Sequence, residues 1–287
     1  MGSEFFDLSA EEQQKSLTTF ASELLKSYGI NDAKVSCINF EFNATFAVES
    51  DSGIKYALRI NINSTRTIEN MQAEVQWVRH LNRTWGINTP TPIATLKDQY
   101  IVSGLHADSG QTLNGVMYSW LEGEEIGDEP TMEQLHEVGR AIARLHQESA
   151  DFVLTSDNAL PTFNDFFWGT EDFLFSEKSV LSDKDRGLIE QARDLIMKYT
   201  DELYQSSPVH IIHADFHGWN LMWHEGQLSI FDFDDCGFGV EAQDLAVALY
   251  YLDTPEQDAA LLNGYKSIKP LPGYSELAMK ALLLQRR

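Results

Sequence analysis

The chain has 287 residues, 43% of them hydrophobic and 11% aromatic, so it can bury a substantial core as one large or two smaller domains and is not a disordered segment. Its 44 acidic against 21 basic residues give a formal net charge of −23, which repels nucleic acid and anionic lipid and argues against either as a partner. No apolar run has the length of a membrane-spanning helix, no basic-then-apolar leader opens the chain, and Cys37 and Cys236 provide no disulfide framework, so a cytoplasmic location is expected.

From Leu8 to Tyr28, the residues Leu17, Phe20, Ala21, Leu24 and Tyr28 fall on one helical face. Ser9 is the N-cap, Glu12 holds the capping-box position and Gly29 is the stop. Residues 34–60 change to strand patterning with a turn at Asp51-Ser52-Gly53. Alternation in Ile54 to Ile60 puts Lys55, Ala57 and Arg59 on one face and Tyr56, Leu58 and Ile60 on the other. A helix over Ile68 to Asn82 has Met71, Val75, Val78 and Leu81 as its stripe, with Glu74 nearer that stripe than Glu69. Thr89-Pro90-Thr91-Pro92 breaks the pattern, and strands are expected over Gln99 to Ser103 and Thr112 to Trp120, around a polar loop at 104–111. The acidic run Glu122, Glu124, Glu125, Asp128 and Glu129 reads as a solvated loop or as a rim that attracts cations.

Thr131 caps a helix to Gln147 whose face carries Leu135, Val138, Ile142 and Leu145, with His146 at its end. The segment Phe163 to Phe175 is unusually aromatic, and core packing is the expected job for most of its rings. A helix over Asp183 to Tyr204 is expected to bury Leu188, Ala192, Leu195 and Tyr199, and further helices follow at Glu241 to Leu252, Pro255 to Tyr265 and Ser275 to Gln285.

The most informative stretch is His213 to Asp235, HADFHGWNLMWHEGQLSIFDFDD. Val209 to Ile212 and Leu228 to Phe231 are strand-like runs of what reads as one hairpin, with His224-Glu225-Gly226-Gln227 as a turn signal. With Glu225-Gly226 as the loop, Asn220 lies opposite Phe231 and Trp219 opposite Asp232, so Asn220 and Asp232 meet at the open end with Asp215 just upstream. A carboxamide and a carboxylate suit Mg2+ when substrate phosphates complete its shell, and Asp215 can orient an attacking hydroxyl, which is the outline of phosphoryl transfer. A rival reading makes His213, Asp215 and His217, with Asp232, Asp234 and Asp235, ligands of a transition metal in a hydrolase. Gly218 and the expected strand end near His213 weigh against it.

HADFHGWN resembles the catalytic loop of the aminoglycoside phosphotransferase and choline kinase group, His-x-Asp-x-x-x-x-Asn, and IFDFDD resembles that group's metal-binding segment. QDLA at Gln243 to Ala246, GRAIARLHQ ending the helix at Gln147, and the Leu-x-Gly after Trp120 extend the resemblance over about Lys34 to Leu252. It implies an α+β, bilobal protein kinase-like fold with ATP between the lobes: a mainly β N-lobe over 1–118 and a mainly helical C-lobe over 119–287, holding the catalytic loop 213–220 and the metal segment 230–235. It further implies transfer of the ATP γ-phosphate to a hydroxyl of a small molecule, aminoglycoside-like or a hydroxy-amino acid or amino alcohol. Asp215 then acts as the base and His213 as support of the loop. Asn220 and Asp232 hold Mg2+, Ala57 packs on adenine, and the backbone around Ser119 and Trp120 bonds it. Arg59 takes the place of the usual lysine on the α- and β-phosphates, held by Glu74, and no Gly-x-Gly-x-x-Gly precedes it. Other readings on the same fold are a bacterial protein serine/threonine kinase and a nucleotide-binding protein without catalysis.

Overall fold

The computed structural model describes residues 3–84, 86–155 and 160–286. A short helix α1 (Ser3–Phe6) precedes α2 (Ala10–Leu25), whose N-terminus carries the expected capping box: Ser9 Oγ accepts from Glu12 N–H and the Glu12 carboxylate accepts from Ser9 N–H. The chain divides into two compact units, Met1–Asn82 with Pro90–Leu121, and Arg83–Thr89 with Glu122–Arg287.

The first unit is built on an antiparallel sheet of β1 (Ala33–Phe40), β2 (Asn43–Ser50), β3 (Lys55–Asn61), β4 (Ile101–His106) and β5 (Gln111–Ser119), in the order β1-β2-β3-β5-β4. The alternation of β3 sends Leu58 and Ile60 into a core that they share with Leu17, Phe20, Ala21 and Leu24 of α2. Helix α3 (Ile68–Leu81) buries Met71, Val75, Val78 and Leu81, the stripe its spacing predicts. The polar loop expected at 104–111 is shorter than that: residues 104–106 continue β4, Gln111 opens β5, and the turn is confined to 107–110. Leu105 pairs with Thr112 and His106 with Gln111, because His106 is buried and its ring bonds Ser16 and Ser109. A polar side chain satisfied inside the fold reads, from sequence, like one meant for water.

In the second unit, a two-residue strand β6 (Glu124–Glu125) is followed by helices α4 (Met132–Asp151) and α5 (Asp183–Ser206) and by β7 (His210–Ile212). Then come the hairpin β8 (Leu221–His224) and β9 (Gln227–Ile230), strand β10 (Gly237–Gly239) and helices α6 (Glu241–Tyr250), α7 (Pro255–Lys266) and α8 (Glu276–Gln285). Residues 209–212 do not belong to the hairpin: β7 pairs with β10, while β6, β8 and β9 form a separate three-stranded sheet. Helix α5 also turns a different face inward than expected. Ile196, Thr200 and Leu203 are buried, whereas Leu188 is 67% and Leu195 47% exposed. No helix forms within Phe163 to Phe175, where Phe163 is buried and Phe173 lies at the surface. Helices α4 and α7 touch at glycines: a Cβ on Gly139 would lie 1.9 Å from Leu261 O, and one on Gly264 1.9 Å from His136 O. Among the described residues no helix is long and apolar enough to cross a membrane.

Candidate active site

The hairpin fixes one end of the site. Glu225 and Gly226 have φ of 47° and 79°, the left-handed pair of a two-residue turn whose twist matches the strands it joins. The ladder runs from His224↔Gln227 to Leu221↔Ile230, and Phe231 N–H donates to Asn220 O at 3.1 Å. Asn220 therefore stands opposite Phe231, as the turn chemistry predicts. Regular pairing stops there: Gly218–Asn220 and Phe233–Asp235 are single 3-10 turns, and Asp232 takes φ 57° at the exposed start of the second.

The loop between β7 and β8 is set by a buried carboxylate from another element. Asp244, in the first turns of α6 and fully buried, accepts from Ala214 N–H at 2.6 Å and from His213 N–H at 3.1 Å. Ala214 is thereby held at φ 67°, a left-handed conformation that costs a non-glycine residue about 1–2 kcal/mol. The twist ends the strand and turns Asp215 away from it. Asp244 is itself bonded to His146 Nε2 at 3.0 Å, His146 Nδ1 to the Tyr265 hydroxyl at 3.0 Å, and Tyr265 O–H donates to Glu241 at 3.1 Å. His146 and Asp244 thus meet as two ends of one buried network.

His213 is buried with both ring nitrogens engaged: Nδ1 accepts from Asp215 N–H at 3.3 Å and Nε2–H donates to Phe231 O at 3.1 Å. Burial pulls its pKa down, in keeping with a neutral ring. Such a histidine braces the loop. With no ring lone pair to spare, it cannot serve the metal-ligand triplet that the spacing of His213, Asp215 and His217 allows. Among the described residues no group of three His, Cys, Asp or Glu side chains is arranged to hold a metal.

The carboxylate of Asp215 is half-buried and surrounded by donors. Oδ2 accepts from Asn220 Nδ2 at 2.9 Å and from His217 Nε2–H at 3.1 Å, and Oδ1 accepts from the guanidinium of Arg286. Trp219 N–H donates to His217 Nδ1, so the proton of that ring sits on the nitrogen facing Asp215. Burial opposes ionisation of Asp215, but the His217 hydrogen bond and the charge of Arg286 outweigh it and hold its pKa down at about 2. Arg286 follows α8 and also donates to the Tyr251 hydroxyl at 3.1 Å, while the His217 and Tyr251 rings lie 5.2 Å apart. Neither Tyr251 nor Arg286 carries a motif, and no sequence signal could have found them. Trp219, 51% exposed, donates its indole N–H to Asp128 at 2.9 Å.

In the first unit, Arg59 on β3 and Glu74 on α3 form a buried ion pair at 2.5 Å, and Tyr118 O–H donates to the same carboxylate at 2.7 Å. Glu69, the competing glutamate, is exposed. Ala57 is half-buried on β3, between Ala47 and Tyr118 of the neighbouring strands. Ser119 N–H donates to Thr91 O at 2.8 Å, so it is not a free donor for a purine.

Residues 40–279 match the model of the phosphotransferase enzyme family, APH. The chain belongs to this family. The phosphotransferase is 26% identical over 261 residues to amicoumacin kinase of Bacillus subtilis (strain 168), covering 89% of this chain and 75% of that one. It is 27% identical over 205 residues to homoserine kinase of Mesorhizobium japonicum, covering 69% of this chain and 60% of the relative, which is thus considerably longer than the matched segment. Among solved structures, amicoumacin kinase hAmiN in complex with AMP-PNP, Ca2+ and Ami superposes with a TM-score of 0.78 at 20% identity, over 100% of this chain and 86% of that one. The α+β kinase-like fold and the phosphotransferase class agree with the expectation from HADFHGWN and IFDFDD.

Proposed function

We propose that this phosphotransferase moves the γ-phosphoryl group of ATP to a hydroxyl on a small molecule in the cytoplasm. The observation that carries this reading is Asp215, a carboxylate kept ionised on a braced loop, whose partners His217 and Arg286 both meet the partly exposed ring of Tyr251. It accepts a hydrogen bond from the acceptor hydroxyl and takes its proton as the new O–P bond forms and the bond from the γ-phosphorus to ADP breaks. The proton then leaves to solvent.

Asn220 and Asp232 are the residues that would hold Mg2+. The Asn220 amide nitrogen is spent on Asp215, which leaves Oδ1 without a partner among the described residues, and Asp232 adds an exposed carboxylate. Two hard oxygen donors fit such a cation. When bound, the metal offsets phosphate charge during transfer. Arg59 takes the α- and β-phosphates with its guanidinium fixed by Glu74, Ala57 packs on the adenine, and His213 keeps Asp215 in place. AMP-PNP and Ca2+ in the hAmiN complex support use of a nucleotide and a divalent cation. A net charge of −23 supports an amine-bearing acceptor.

ATP with Mg2+ is expected to raise the melting temperature and ATP without it to do so less, since a ligand of the native state stabilises it. Asp215→Ala should abolish phosphoryl transfer and spare ATP binding, whereas Asp232→Ala should weaken binding of the metal–nucleotide. Full turnover in Asp215→Ala would overturn the assignment of the base. No response to ATP at all would overturn the kinase reading of the site.

A further inference from the structure

The phosphate-transfer reading assigns no role to Arg286, yet this side chain makes the one ion pair of Asp215 with an arginine among the described residues. Its position is fixed from behind. Gln285, the last residue of α8, donates its amide to Phe166 O at 2.9 Å and to Asp165 O at 3.3 Å, and α8 packs on α5 and α6. The guanidinium is therefore delivered to Asp215 by an anchored helix end, with the ring of Tyr251 beside it at 5.8 Å.

Only part of the guanidinium is used. Nη2 donates to Asp215 and to the Tyr251 hydroxyl; among the described residues Nε and Nη1 have no partner, and the side chain is 29% exposed. An arginine presents five N–H donors in a planar fork that matches a carboxylate in two parallel bonds. In a chain with 44 acidic and 21 basic residues, a mostly buried cation with unused donors at the catalytic carboxylate is a built anion subsite. Its place relative to the hydroxyl follows from the shared atom. An acceptor hydroxyl bonded to Oδ1 of Asp215 lies next to Arg286, which bonds that same oxygen. A group two to four bonds from the hydroxyl is then within reach of the free donors.

Resting on the kinase reading of Asp215, we propose that Arg286 recognises a carboxylate on the acceptor, so that the preferred substrate is a small hydroxy acid, with or without an amine, and not a hydroxylated compound lacking an acid group. Arg286 holds Asp215 through one nitrogen and the acceptor acid through the others. It acts as a specificity residue and a positioning residue at once.

The test compares acceptors that differ only by the carboxylate: a γ-hydroxy-α-amino acid against 3-aminopropan-1-ol, and serine against 2-aminoethanol. Each is assayed with the wild type, Arg286→Lys and Arg286→Gln at saturating MgATP. The wild type should favour the acid within each pair. Arg286→Gln should lower the acid-to-alcohol ratio of kcat/KM by about 10–100-fold, the worth of a charge-assisted hydrogen bond, mostly through KM, with Arg286→Lys between the two. Because Arg286 also touches Asp215, both acceptors will lose kcat; the ratio removes that shared loss. A ratio unchanged by Arg286→Gln, or a wild type that prefers the amino alcohols, overturns the proposal. Calorimetric binding of the hydroxy acids without nucleotide gives a second readout that needs no transfer. Binding that is lost in Arg286→Gln, in a protein that turns over no ATP, would keep the anion subsite and reject the kinase reading. Asp215-dependent turnover with no binding of any hydroxy acid would do the reverse.

Discussion

Asp244 shows how much of this site is held by a residue that never meets the substrate. Its two oxygens satisfy the amides of His213 and Ala214 and the ring of His146, all buried. Asp244→Ala would leave those donors without partners, and a loss of about 3–5 kcal/mol is expected in urea unfolding, together with loss of activity. A loss below about 1 kcal/mol would mean that water replaces the carboxylate and that the loop is braced elsewhere. Asp215 itself contributes in the opposite sense to pH. Its folded pKa of about 2 lies below the ordinary 3.8, so its stabilisation, about 2 kcal/mol, is complete above the ordinary value and is lost as pH falls through about 2. Unfolding followed from pH 6 to pH 2 should show the wild type losing stability faster than Asp215→Asn; parallel curves would contradict the depressed pKa. The register that sets Asn220 opposite Phe231 was legible in the sequence because the Glu225-Gly226 turn pins the pairing locally. Arg286, Tyr251 and Tyr118 were not, since each comes to its partner from 34 or more positions away along the chain.

At the scale of elements, caps and stripes carried most of the information, and contacts between helices carried the rest. Ser9, Thr67, Thr131, Ser182, Thr254 and Ser275 all cap helices through their side chains, and these starts follow from local chemistry alone. The inward face of α5 did not. Leu188 and Leu195 lie on one apolar stripe and Ile196 and Leu203 on the next, and packing against α8 decides which is buried. The strand content of 104–111 is hidden for a similar reason, because one partner of the buried His106 is Ser16 of α2, 90 positions away, and only the other, Ser109, is local. The close approach of α4 and α7 is equally invisible before the helices are placed, and it is testable. Gly139→Ala or Gly264→Ala drives a methyl group into a backbone carbonyl, so each should cost about 1–3 kcal/mol or more. Gly187→Ala in α5 meets nothing within 4 Å and should instead stabilise by about 0.5–1 kcal/mol, the helix preference for alanine. Melting temperatures of the three variants check both signs; a stable Gly139→Ala would show that the two helices can slide apart.

For the whole molecule, the dominant physical fact is a formal charge of −23 carried by 287 residues. So large an excess of one sign repels itself in the compact state and relaxes when the chain expands, so it opposes folding. Salt screens this repulsion over a Debye length of about 10 Å at 0.1 M, a distance comparable to the spacing of surface carboxylates. Among the described residues, the Arg59 pair with Glu74 is buried and sheltered from salt, and exposed pairs such as Lys280 with Glu276 contribute little. Relief of repulsion should therefore win, and the melting temperature should rise as sodium chloride increases from about 0.02 M to about 0.5 M. The same field concentrates cations near the surface, so KM for a cationic acceptor should rise over that range, while KM for an uncharged acceptor stays level. A zwitterionic hydroxy acid, with no net charge to be steered, should follow the uncharged compound and yet remain sensitive to Arg286→Gln. A melting temperature that falls with salt would place the stability in surface ion pairs instead. A KM for the cationic acceptor that ignores salt would show that its capture owes nothing to the acidic surface.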